Sequence, residues 1–149
     1  MRYVKLLQRF IKVDIYGDCG PLSCGKNRNM GHLYSLQQDP CFDLVNRNYR
    51  FYLSFENALC RDYITEKAFN SLKLNTIPVV LGGSDYQNIL PPGSFINARD
   101  FYSPEHLANY LYKVLNNSTL HDSYFQWRPY YNIHRSGANQ FSQYLSPSV

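Results

Sequence analysis

Glu66 and Lys67 stand side by side where a helix is predicted to begin, inside the stretch FENALCRDYITEKAF from Phe55 to Phe69. The aromatic, alternating run before them, YRFYLSFEN, reads as a strand. In open parallel sheets, ligands bind beyond the carboxyl ends of strands, where the following helices start. A helix start carries unsatisfied amides and a partial positive charge, which attract phosphate. Lys67 adds a full charge to such a cradle. Glu66 suits another task, because a carboxylate accepts hydrogen bonds from ribose hydroxyls. Thr65 offers a hydroxyl or an amide, and Asn57 and Tyr63 can close the sides. These types in this order fit a nucleotide. Each residue also has a plainer use: an acid in a first helical turn complements the dipole, the lysine suits a solvated face, and the asparagine suits a turn.

Other chemistries find less support. Neither of the two common phosphate loops, G-x-G-x-x-G and G-x4-G-K-[ST], occurs. Gly82-Gly83 after an apolar run fits a tight turn or a close ligand approach. There is no G-x-S-x-G and no H-E-x-x-H, and the histidines at 32, 106, 121 and 134 are scattered. No D-x-D is present to bridge a metal to a diphosphate, so no metal site is expected. Cys19, Cys24, Cys41 and Cys60 lack zinc-site spacing. An even count in loop-like surroundings suits disulfides in an oxidising compartment; reduced thiols are the other reading, and three pairings stay open.

The elements that must position the strand-to-helix junction follow from periodicity. Hydrophobic content of 44% against 17% charged residues, over 149 residues, describes one globular domain. The 14 tyrosines suit half-buried strands and polar pockets. A net charge of +4 is too diffuse for a nucleic-acid reader, and its densest part, KNRNMGH at 26–32, reads as a solvated loop. The spacing predicts a helix over 3–11, a short strand over 12–17, and little regular structure over 18–48. It then predicts a strand over 49–57, a helix over 65–75 started by Thr65 or Asp62, and a strand in IPVVLGG covered on both faces. A turn-rich connection with a short strand at 94–97 follows. A helix capped by Ser103 comes next, with a stripe of Leu107, Tyr110, Leu111, Val114 and Leu115. A further helix over 119–127 precedes a polar tail, 131–149. This order argues for an α/β layer with a mainly parallel sheet, forming a domain over 1–130. Opening on a helix, the chain is expected to lack a preceding strand. It has no apolar run long enough to span a membrane, and its N-terminus does not read as a signal peptide.

Two long stretches, FYLSFENALCRDYITEKAFNSL and IPVVLGGSDYQNILPPGSFINARDF, resemble the signature of the α-1,3-fucosyltransferases. VDIYGDCG at 13–20 and YFQWR at 124–128 are similar to that family as well, so the resemblance runs from the start to about Tyr130. The cysteines at 19, 24 and 60 look most like the invertebrate and plant branch, which fucosylates the glycoprotein N-glycan core. The resemblance implies the C-terminal, Rossmann-like half of a two-domain GT-B glycosyltransferase. That half binds GDP-fucose, and an N-terminal half binds the acceptor. By position, Asn57, Tyr63, Thr65, Glu66 and Lys67 match the donor-binding segment, with Glu on the ribose and Lys on the pyrophosphate. A donor-binding arginine of the family falls near Arg2 but offset, so its role is not carried over. The catalytic base is expected to be a carboxylate of the N-terminal half, and no cofactor is required beyond the donor substrate. The implied setting is the luminal side of the Golgi membrane, with the anchor outside this chain. The overlapping sequons at Asn116 and Asn117 agree with a luminal protein. This chain is expected to bind GDP weakly and not to turn over by itself. Two rivals fit the same residues: a catalytically dead nucleotide-sugar module that pairs with another chain, and a ligand-free fold in which Glu66 and Lys67 are only helix-end charges.

Overall fold

The computed structural model describes residues 2–17, 20–24, 40–57, 59–61, 63–133 and 145–147. Its centre is a parallel sheet of β1 (Phe51–Phe55), β2 (Ile77–Leu81) and β3 (Ile96–Asn97), in that spatial order. Phe51 pairs with Ile77 and Phe55 with Leu81, while Val79 and Val80 pair with Ile96 and Asn97. The continuous apolar run of β2 has the stated cause. Side chains alternate between faces along a strand, and both faces of β2 are covered. Val79 packs with Leu7, Ile96, Leu107, Leu111 and Val114, and Val80 packs with Ala68, Phe69, Leu72, Tyr86 and Trp127. Proline is normally excluded from such a strand. Here the Ile77 amide donates to Arg50 on the β1 side, so position 78 turns to the β3 side, where pairing begins only at Val79.

The first face is layered by α1 (Arg2–Leu7) and, later in the chain, by the helix over 104–115; the other by the helix over 66–72. In chain order α1 is followed by α2 (Pro40–Asn48), within a stretch expected to lack regular structure. No residue of α2 is fully buried; Phe42, Leu44 and Val45 are half-buried, and an Arg47–Asp43 pair at 2.9 Å, one turn apart, adds support. Helix α3 (Glu66–Leu72) buries Ala68, Phe69 and Leu72, the face expected of it. The short α4 (Tyr86–Ile89) sits in what reads as a turn-rich connection. In α5 (Pro104–Leu115), Ser103 caps through the His106 amide as expected. Leu115 departs from the expected stripe: it is exposed, and Ala108 is buried in its place. Helix α6 (Ser118–Ser123) is shorter than its sequence suggests and gives way to turns.

Two further expectations are corrected. Residues 12–17 do not join the sheet. The Val13 carbonyl accepts from the Gln8 side chain, and Tyr16 makes only an isolated bridge to Leu22 before Gly17 turns at φ +86°. The segment read as a polar tail carries β4 (Tyr131–Ile133) paired antiparallel with β5 (Leu145–Pro147), and Tyr131 and Ile133 pack against the Trp127 cluster.

Of the four cysteines, Cys24 and Cys41 form a disulfide, and Cys60 is a free, exposed thiol rather than a bridge partner. Cys19 lies outside the described residues. The bridge closes a sequence separation of 17 residues. Chain-entropy reasoning for such a loop gives about 3 kcal/mol. Urea titration of Cys24→Ser/Cys41→Ser is expected to show that loss, and an unchanged midpoint would deny the bridge a stabilising role.

Candidate functional site

The junction between β1 and α3 is built around Glu56. Strand pairing continues one residue beyond β1, because the Glu56 amide donates to the Leu81 carbonyl at 2.9 Å. That places the Glu56 side chain beneath the start of α3, where its exposure is 0%. A buried carboxylate needs partners. The Thr65 amide donates to Oε1 at 2.8 Å, and the Thr65 hydroxyl lies 2.8 Å from Oε2 and 3.1 Å from Oε1. Thr65 holds the N-cap position of α3 but makes no side-chain cap bond, because its hydroxyl faces Glu56.

Lys67 folds back over the same strand end. Its ammonium donates to the Phe55 carbonyl at 3.2 Å and to the Asn57 side-chain oxygen at 3.3 Å, and it lies 3.7 Å from Glu56 Oε2. The Lys67 side chain keeps 29% exposure, so it is not sealed off from solvent. Beneath it, buried Ser54 of β1 bonds both to the Lys67 carbonyl and to Ser71. The first turn of α3 is thereby stitched to the strand whose end it overhangs.

The other expected residues flank this centre. Glu66 is exposed and makes no hydrogen bond or ion pair with the described residues. Asn57 and Tyr63 are also exposed. Thr65 differs from expectation: it directs both its amide and its hydroxyl inward to Glu56 rather than offering them to a ligand. Glu56 itself escaped the sequence reading, which treated it only as the end of a strand. Its signal was a carboxylate in the last position of an apolar run, where a charge requires a partner.

The paired glycines form the floor beside this site. A Cβ on Gly82 would fall 2.2 Å from the Tyr86 hydroxyl and 3.1 Å from Glu56 Cγ. One on Gly83 would fall 2.2 Å from the Cys60 carbonyl oxygen. The loop before Tyr63 runs beside this glycine, with Arg61 bridging to Gly83. Arg99 reaches across from beyond β3 to the Gly82 carbonyl at 3.3 Å. Burial first, and then the charge of Glu56, push the Tyr86 hydroxyl up to about 12, against an opposing pull from Arg99.

A groove of about 370 Å³ opens elsewhere, lined in part by Phe95, Asn97, Asp100, Tyr110 and Tyr124. It shares no residue with the five at the β1–α3 junction. Among the described residues no three His, Cys, Asp or Glu side chains gather in a way that could hold a metal, and no helix is long and apolar enough to cross a membrane.

This geometry places a cation and an amide side chain, with an exposed acid next to the cation in sequence, at the carboxyl end of a parallel strand. The family model described as Glycosyltransferase family 10 (fucosyltransferase) C-term matches residues 1–146. The chain is 47% identical over 128 residues to Alpha-(1,3)-fucosyltransferase C of Drosophila melanogaster, covering 85% of this chain and 28% of that protein. It is 40% identical over 131 residues to Glycoprotein 3-alpha-L-fucosyltransferase A of the same organism, covering 86% and 24%. Against Alpha-(1,3)-fucosyltransferase fut-1 of Caenorhabditis elegans it is 38% identical over 132 residues, covering 88% and 28%. The chain therefore spans about a quarter of the length of these curated relatives.

Proposed function

Because the chain belongs to glycosyltransferase family 10, the fucosyltransferases, we propose that it carries the GDP-fucose site of an inverting α-1,3-fucosyltransferase. The enzyme moves L-fucose from GDP-fucose to an N-acetylglucosamine of a glycoprotein glycan. The observation that carries this reading is the Lys67 ammonium, held at the carboxyl end of β1 beside exposed Glu66.

In this reading Lys67 meets the diphosphate and Glu66 accepts from the ribose hydroxyls, with Asn57 and Tyr63 at the sides. Thr65 serves the same site indirectly, through Glu56. During transfer the acceptor hydroxyl oxygen bonds to fucose C1 while the bond from C1 to the diphosphate breaks, its electron pair leaving with GDP. A base removes the hydroxyl proton. We assign that base to a carboxylate of the acceptor-binding half of the enzyme. Lys67 stabilises the charge that grows on the departing diphosphate, and no metal is required in this scheme. The enzyme works in the Golgi lumen. The exposed sequon residues Asn116 and Asn117 support that setting; Asn117 also caps α6 through the Leu120 amide.

Isothermal titration with GDP tests the site. Glu66→Ala is expected to weaken GDP by about ten- to a hundredfold, the size of lost hydrogen bonds to a charged acceptor. Its unfolding midpoint should not move, because Glu66 is exposed. Unchanged GDP affinity would remove Glu66 from the site. Mixing the chain with a separately expressed acceptor-binding half then asks for fucose transfer. Transfer supports a working enzyme half; GDP binding without transfer favours a nucleotide-sugar module that pairs with another chain.

A further inference from the structure

We propose that Glu56 is a positioning residue that sets the Lys67 ammonium for a diphosphate. This rests on the donor-site reading above, which gives Glu56 no contact with the ligand. A lysine stem is long and flexible, and its head is strongly hydrated. To act as a preset charge it must be held without being wholly captured. The arrangement around Glu56 meets both demands. Its two oxygens are drawn to Thr65 by the amide and the hydroxyl, each at 2.8 Å. That leaves Oε2 at 3.7 Å from Lys67 Nζ, close enough to attract and too far to hydrogen-bond. The ammonium has three N–H donors. Two of them serve Phe55 and Asn57, and the partly exposed side leaves the third for an incoming oxygen. Thr65 thereby acts on Lys67 through Glu56. Gly82 guards the same carboxylate from below, because a Cβ there would crowd Glu56 Cγ at 3.1 Å.

Glu56→Gln tests this with little change of shape. A glutamine must turn its oxygen to the Thr65 amide, since two donors cannot face each other. Its NH2 then takes the place of Oε2 and faces the Lys67 ammonium, positive against positive, so the ammonium is pushed off its perch. Two measurements on the whole chain separate the claims. In ligand-free protein, the Lys67 ammonium is expected to give a distinct, slowly exchanging 15N NMR signal that is lost in Glu56→Gln. In titrations, Glu56→Gln is expected to weaken GDP by about tenfold and guanosine by less than twofold. Tighter or unchanged GDP would overturn the proposal, because it would make Glu56 only a competing charge. Equal weakening of GDP and guanosine would overturn it too, because that is the mark of general structural damage. Should the wild-type chain bind no GDP, the donor-site reading fails, and the ligand-free 15N signal still decides whether Glu56 holds Lys67.

Discussion

Lys67→Met is expected to abolish measurable GDP binding and to lower unfolding free energy by about 3 kcal/mol. Both effects come from one position, for different reasons. The binding loss is the removal of the only lysine at the β1–α3 junction among the described residues. The stability loss belongs to the partner left behind. The Glu56 side chain is fully buried, and without Lys67 it keeps, among the described residues, only the Thr65 hydrogen bonds to answer its charge. An uncompensated buried charge costs about 3–5 kcal/mol, and the low end applies because water reaches the lysine side at 29% exposure. The double variant Glu56→Gln/Lys67→Met separates the two reasons. It should recover most of the stability and none of the GDP affinity. Recovery of affinity would place the diphosphate somewhere else. A single variant as stable as the wild type would show that the pair is not electrostatically coupled.

Gly83→Val is expected to cost at least about 3 kcal/mol, at or beyond the upper end for overpacking, and to weaken GDP along with it. A Cβ at this position meets main chain rather than a movable side chain: the Cys60 oxygen at 2.2 Å, the Cys60 carbonyl carbon at 2.6 Å and the Leu59 oxygen at 2.7 Å. No rotamer change relieves that overlap, so either β2 or the 59–61 loop must move. The loop leads directly into Tyr63 and Thr65, so its displacement carries the side of the site with it. Thermal unfolding and GDP titration of the same variant check both halves. A native melting temperature would show that the loop yields freely, and would remove the tight packing of Gly83 as a reason for its place.

The parts of this architecture that bury an apolar face were legible from residue spacing. Val79 and Val80 face opposite sides of a strand with covering on both, and Ala68, Phe69 and Leu72 fall on one face of α3. Ser103 and Pro104 announced the start of α5. What escaped notice lacks that imprint. Helix α2 buries no residue fully, and β4 and β5 are three-residue strands with 11 residues of sequence between them. Residues 12–17 alternate like a strand, yet alternation does not supply a neighbour to pair with. At the site, residue types named Asn57, Tyr63, Glu66 and Lys67 as a group. They did not reveal that Thr65 faces inward, because that depends on a carboxylate nine residues earlier arriving beneath the helix through strand pairing.

Ser54 joins the middle of this picture to its edge. Its hydroxyl ties β1 to the Lys67 carbonyl and to Ser71 inside α3, and both serines are fully buried. The surface proposed to anchor a nucleotide is thus cast in advance, and little ordering would remain to oppose association. Among GDP, its sugar conjugates and their analogues, differences in grip should accordingly appear as residence times, with arrival rates nearly alike.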